Sequence, residues 1–211
     1  MKVTLIGAGC GGDSWTEEAR RALSGAELVL GPARLLEQLD DFAGDRYAVY
    51  QPEEILRLLR ESPAQAACVL LSGDSGFYSG AAKLVPMLRT AGMEPLVLPG
   101  ISCVQVLAAR LERPWQEWRL CSAHGVDRDP VYEVMQGAPA LFLTSDEDGP
   151  GELCRRLVEA GLGNLRVMVG ERLGLPGERI IRATAVELAQ RRFARLNVLL
   201  AEAAPCFPRS T

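Results

Sequence analysis

The sequence predicts a protein of two α/β domains, with a mainly parallel first sheet and a mixed second one. Three observations carry that prediction. Short apolar runs alternate with amphipathic stretches five times through the first half of the chain. Such alternation implies parallel strands joined by right-handed crossovers. The segment RPWQEW (113–118), with one proline and two tryptophans, then interrupts the alternation. Beyond it, LRVMVGERLGLPGERIIRAT (165–184) places two strand-like runs across a Gly/Pro-rich turn with no helix between, the pattern of an antiparallel pair. The boundary is expected near residue 115, giving domains of 1–114 and 115–211.

Taken in order, KVTLIGAG (2–9) reads as a strand and TEEARRALSGA as a helix, with Ser14 and Glu17 spaced as a capping box. ELVLG is a strand, and PARLLEQL a helix opened by Pro32. YAVYQ precedes PEEILRLLRES, again with proline in the first turn, where its missing N–H costs nothing. ACVLLSG leads to a helix expected from Phe77, and PLVLPG to ISCVQVLAARLE. The second half opens with RLCSAHG, PVYEVMQG, ALFLTS and GELCRRLVEAG, and closes with the helix AVELAQRRFA and the strand LNVLLAEA.

With 48% hydrophobic and 24% charged residues among 211, the chain can bury a sizeable core. No apolar run approaches the roughly 18–20 residues of a membrane span, and the expectation is a soluble cytoplasmic protein. A net charge of −4 argues against a general nucleic-acid binder. Residues 1–117 carry 11 basic and 15 acidic side chains, residues 118–211 twelve of each, so the second half is freer to offer arginines to an anion. The six cysteines (10, 68, 103, 121, 154 and 206) show no C-x-x-C spacing, and His124 is the sole histidine. This suits reduced core thiols and no metal site.

GAGCGG matches G-x-G-x-x-G through Gly7, Gly9 and Gly12, which would suit a dinucleotide. That fingerprint needs a helix starting at the third glycine and an acidic residue ending the second strand. Here DSWT intervenes, and the second strand ends in Gly31 and Pro32. A Gly-rich loop allowing close ligand approach is the broader reading. In SGDSGFY, Asp74 stands at a strand end between Gly73 and Gly76. In an open parallel sheet such ends are where ligands bind, and a carboxylate there suits hydroxyls or a cation. The alternative is that Asp74 caps the next helix. Ser102 in LPGISC and His124 in CSAHG occupy comparable strand-end positions.

These motifs, in this order and at these separations, resemble the tetrapyrrole methylase family, and within it the branch that methylates C5 in cobalamin biosynthesis. They stand here as GDSGFYSG (73–80), PGISC (99–103), SAHG (122–125) and GERLGLPGERI (170–180). The first loop is one residue shorter than the family's, with Cys10 in place of a proline; Ser75 and Cys103 replace a proline and a serine. The resemblance implies S-adenosyl-L-methionine in a cleft between the two domains, leaving as S-adenosyl-L-homocysteine. Gly73, Asp74, Ser75 and Tyr78, with Ser102 and Cys103, would line the cofactor. Leu143, Thr144 and Thr184 would cover its adenine.

The substrate implied is precorrin-7 or cobalt-precorrin-7, a polycarboxylate bordered by Gly9 and Gly11 and met by Arg34 and Arg128. Its reacting carbon is already nucleophilic, so the protein's work is alignment and exclusion of water; His124 is the candidate base for a later proton loss. A homodimer is expected, and a C15-methyltransferase/decarboxylase domain or protein is a possible partner. The alternatives are a family member acting at another carbon or on another substrate, an NAD-binding oxidoreductase, and a non-enzymatic subunit without a pocket beside Asp74.

Overall fold

The computed structural model describes residues 1–39, 41–123, 128–145 and 149–204. They form two compact units, Met1–Cys103 and Val104–Thr211. The first holds β1 (Lys2–Gly7), α1 (Glu17–Ser24), β2 (Leu28–Gly31), α2 (Ala33–Leu36), β3 (Asp45–Ala48), α3 (Pro52–Glu61), β4 (Ala66–Leu71), α4 (Ala81–Thr90) and β5 (Leu96–Leu98). The expectation near residue 115 differs in one respect: α5 (Cys103–Leu111) falls almost wholly in the second unit.

The first sheet runs β3-β2-β4-β1-β5, every pair parallel. Its central strands are apolar on both faces, as a sheet covered twice requires. Val3, Leu5, Leu28, Leu30 and Val69 pack against α3 and α4 through Ile55, Leu59, Leu84 and Leu88. Ile6, Val29, Cys68, Leu70 and Leu98 pack against α1 and α2 through Ala19, Leu23, Leu35 and Leu36. Each fully buried leucine contributes about 1.5–3 kcal/mol. Neighbouring β1 and β4 are thus followed by helices on opposite faces, so their connections diverge beyond their carboxyl ends. That is where an open α/β sheet forms its binding crevice.

Two element starts differ from the sequence reading. The cap of α1 is Thr16, whose hydroxyl accepts the Ala19 amide at 3.1 Å. Ser14 is instead held inside the first loop, accepting from the Cys10 amide at 3.1 Å and donating to the Gly11 carbonyl at 2.6 Å. The helix expected from Phe77 begins at Ala81. Tyr78 at φ 47° is incompatible with a right-handed turn, and glycines at 76 and 80 weaken the segment further.

The second unit follows with β6 (Arg119–Ser122), α6 (Pro130–Val134), β7 (Ala140–Leu143), α7 (Pro150–Glu159), β8 (Arg166–Glu171), β9 (Arg179–Thr184), α8 (Ala185–Leu188) and β10 (Asn197–Ala201). Its sheet is β6-β7-β10-β8-β9. β6 and β7 are parallel, and the other neighbours, including β8 with β9, are antiparallel. Phe142, Leu153, Leu157, Val169, Leu188 and Leu199 lie in its core. Among the described residues no helix is long and apolar enough to cross a membrane, and no group of His, Cys, Asp and Glu side chains is placed to hold a metal ion.

Candidate active site

At the carboxyl edge of the first sheet, the loops that follow β1, β4 and β5 are tied together, the first two by their own backbone. Gly9, after β1, and Gly73, after β4, exchange hydrogen bonds: the Gly9 amide reaches the Gly73 carbonyl at 3.0 Å and the reverse bond is 3.1 Å. Both sit at positive φ, 66° and 65°, where glycine carries no Cβ penalty. Gly100, after β5, packs still closer; a Cβ there would lie 2.3 Å from the Gly7 carbonyl oxygen and 2.4 Å from that of Gly73. The Cys10 thiol donates to the Ile101 carbonyl at 3.5 Å, bringing the first loop against the PGISC turn.

Asp74 holds this edge together. One carboxylate oxygen accepts the Gly76 amide at 2.9 Å and the other the Gly100 amide at 3.0 Å. It does not cap α4, which begins seven residues later. The carboxylate is only half-buried and each oxygen retains acceptor capacity, so it can still address a hydroxyl or a cation. Tyr78, four residues further on, is 53% exposed and stacked edge-on against Phe77 with ring centroids 5.0 Å apart. A bulky residue held at positive φ is a strained arrangement of the kind that gathers at functional sites.

Arg34 projects from α2, beyond the end of β2, and donates to the Ser72 hydroxyl just past β4. Burial pushes its guanidinium pKa down, against a smaller upward pull from the Cys10 thiol. Gly9, Gly11, Arg34, Gly73, Asp74, Ser75, Tyr78, Ser102 and Cys103 therefore all belong to loops or first turns at this one edge. Ser102 is buried at 4% exposure.

The dinucleotide reading fails here on geometry. The Gly9 amide, which that motif aims at a pyrophosphate, is spent on Gly73. A 3-10 turn at Gly12–Ser14 takes the place of the helix start.

In the second unit, the strand register separates residues expected to act together. Leu143 ends β7 and pairs with Val198, which pairs with Gly170, which pairs with Ile180. Thr184 pairs with Arg166, at the opposite end of the sheet. Four residues along a strand span about 13 Å, and three strand spacings lie between β7 and β9, about 14 Å. Thr184 cannot share one adenine with Leu143 and Thr144; it is instead the N-cap of α8, its hydroxyl 2.6 Å from a Glu187 carboxylate oxygen.

The Thr144 hydroxyl is engaged by Asn197, 2.7 Å from its carbonyl oxygen. Arg128 lies 3.5 Å from one oxygen of buried Glu133, whose other oxygen accepts two bonds from Arg119 at 2.7 and 2.8 Å. His124 lies outside the described residues. The partners that sequence reasoning missed are Ser72, Gly100 and Asn197. Ser72 and Gly100 carried a signal, the first directly before the GDSG run and the second inside PGISC; Asn197 carried none.

A glycine-built edge at the carboxyl ends of a parallel sheet, stapled by a carboxylate, is the arrangement found in α/β proteins that bind small molecules. The sequence matches the Tetrapyrrole (Corrin/Porphyrin) Methylases over residues 2–189. The chain belongs to that family, whose enzymes take a methyl group from S-adenosylmethionine.

Over 209 residues it is 34% identical to a decarboxylating precorrin-6Y C(5,15)-methyltransferase of Sinorhizobium sp., covering 96% of this chain and 49% of that relative. The chain thus spans about half the length of this relative. It is 31% identical over 182 residues to the cobalt-precorrin-7 C(5)-methyltransferase of Salmonella typhimurium, covering 84% of this chain and 88% of the relative. In fold it is similar to a uroporphyrin-III C-methyltransferase of Thermus thermophilus solved with S-adenosyl homocysteine: TM-score 0.75, 21% identity, covering 96% and 92% of the two chains.

Proposed function

We propose that this chain methylates C5 of precorrin-7 or its cobalt complex in cobalamin biosynthesis. The observation that carries the reading is the Asp74 carboxylate, fixed by the Gly76 and Gly100 amides at the glycine-lined strand ends. Two relatives bearing a C5 designation, at 34% and 31% identity, support the choice of carbon.

The residues present fit S-adenosylmethionine. Gly73, at φ 65° with no side chain, leaves its backbone open to close approach. The half-buried Asp74 presents negative charge suited to ribose hydroxyls or a cationic donor. Ser75, Tyr78, Ser102 and Cys103 complete the proposed lining. When bound, the cofactor supplies an electrophilic methyl group. The chain's part is to orient: Asp74 cannot swing, because both its oxygens are tied to backbone, and a prepaid geometry of this kind lowers the barrier to transfer. His124 is the side chain proposed to accept a proton released afterwards, at an imidazole nitrogen.

The test is incubation with precorrin-7 and with cobalt-precorrin-7, using S-adenosylmethionine labelled with carbon-13 at the methyl. Product NMR showing the label on C5 is expected. Label at C11 or C17 would move the chain to another branch of the family, and no transfer to either macrocycle would remove the substrate assignment.

A further inference from the structure

Charge is distributed unevenly along the carboxyl edge of the first sheet. Asp74 leaves β4 and is drawn toward β5, across β1, by the Gly100 amide. Arg34 comes from the opposite side, from β2 onto the Ser72 hydroxyl. The edge is therefore acidic toward β5 and basic toward β2.

Arg34 differs from several other arginines of the chain. Arg57, Arg110 and Arg113 each pair with a glutamate. Among the described residues Arg34 forms no ion pair, and its one side-chain acceptor is neutral. A partly desolvated cation without a counter-charge is costly to keep, and its guanidinium is partly desolvated. A guanidinium has five donors in a planar fork. One bond to Ser72 orients that plane and leaves the rest for a ligand, without neutralising the charge. The ligand matched to such a fork is a carboxylate, taken by two parallel bonds.

We propose that Ser72 is a positioning residue, holding the Arg34 guanidinium as the receptor for one carboxylate arm of the tetrapyrrole. This rests on the tetrapyrrole reading above and adds the residue that sets the receptor's geometry. The arrangement also sorts the two reactants by charge: a cationic donor toward Asp74, a polyanionic acceptor toward Arg34.

The test uses the full chain and a stable probe, uroporphyrin III, titrated by quenching of tryptophan fluorescence beside its octamethyl ester. Wild type is expected to bind the acid and not the ester. Arg34→Ala should weaken acid binding by roughly ten- to a hundredfold, the range for hydrogen bonds to a charged group. Arg34→Lys, which keeps charge without the fork, should fall between, and serves if the alanine variant does not fold. Ser72→Ala should weaken binding by about three- to tenfold, and Ser72→Thr should restore it. Affinity for S-adenosyl homocysteine, measured by calorimetry, should be unchanged in all four, which general loss of structure would not allow.

If wild type binds the acid and the Ser72 and Arg34 variants match it within about twofold, the inference is overturned and the family reading stands. If Arg34→Ala binds weakly but Ser72→Ala binds as wild type, Ser72 has no positioning role. If wild type binds neither acid nor ester, both the inference and the tetrapyrrole reading are lost.

Discussion

The carboxylate of Asp74 bridges to the amide of Gly100 at 3.0 Å, across the end of a strand that separates their own. With its other oxygen on Gly76 at 2.9 Å, one side chain satisfies two amides that no regular ladder reaches. Asp74→Ala leaves both without this acceptor and should cost about 2–3 kcal/mol, since hydrogen bonds to an ionised group exceed neutral ones. Asp74→Asn, able to accept from only one amide in the same pose, should lose about half as much. Urea unfolding measures the stability, and calorimetry with S-adenosyl homocysteine measures the site. A Asp74→Ala variant as stable as wild type would show that the bridge is not what holds the loops.

Gly100 and Gly92 should respond very differently to alanine. At Gly100 the added methyl meets backbone oxygens of Gly7 and Gly73 at 2.3 and 2.4 Å, atoms that cannot rotate away. Gly92, at φ 76°, has nothing within 4 Å, so alanine there pays only left-handed strain of about 1 kcal/mol. Gly100→Ala should cost about 3 kcal/mol or more, toward the upper end for overpacking. Comparison of the two midpoints in urea decides it: Gly100 is not at positive φ, so similar losses would mean that the surrounding backbone shifts to admit the methyl and that close packing does not select glycine at 100.

The parallel first sheet was legible because Val3, Leu5, Val69 and their neighbours sit in short apolar runs separated by amphipathic helices. The antiparallel turn before Arg179 announced itself by glycine and proline. The clustering of Gly9, Gly73, Asp74 and Ser102 followed from topology, since every one lies past a strand's carboxyl end. Two kinds of fact were not legible. Helix starts depended on which of several polar residues caps, and Thr16 took the role that spacing offered to Ser14. The placement of Thr184 relative to Leu143 depended on how β7, β10 and β8 pair, and those pairings join segments far apart in the sequence.

Glu171 should be the most sensitive carboxylate of the second unit. It is fully buried at the end of β8, accepts the Ala194 amide, and meets Arg179, its partner on β9, at 2.7 Å. The segment it anchors leads to Asn197, whose side-chain amide reaches the Ala194 carbonyl at 2.6 Å and whose carbonyl accepts from Thr144. Glu171→Ala removes the acceptor from a part-buried amide and the counter-charge from Arg179, and should cost about 3 kcal/mol. Glu171→Gln, which keeps the acceptor, should cost about 1 kcal/mol. Hydrogen exchange at the Ala194 amide should accelerate in the alanine variant and much less in the glutamine one; equal acceleration would assign the effect to lost charge alone.

Buried thiols should make the fold sensitive to alkali. Burial pushes the Cys68 and Cys154 thiols up to about 12, against about 8.5 in an unfolded chain. Below about pH 8.5 both states hold these protons and the stability is intact. As pH rises from there toward 12, the unfolded chain releases protons that the folded chain keeps, so stability falls by about 1.4 kcal/mol per pH unit for each thiol. Cys154, fully buried in the second core beside Leu153 and Leu157, is the cleaner probe. Cys154→Ala should lose about 1 kcal/mol at neutral pH through the small cavity left behind, yet decline less steeply between about pH 9 and about pH 11. Urea unfolding at both ends of that range gives the two slopes. Parallel lines would mean that Cys154 ionises in the folded protein as readily as in the unfolded one, and that the second core admits water to its sulfur.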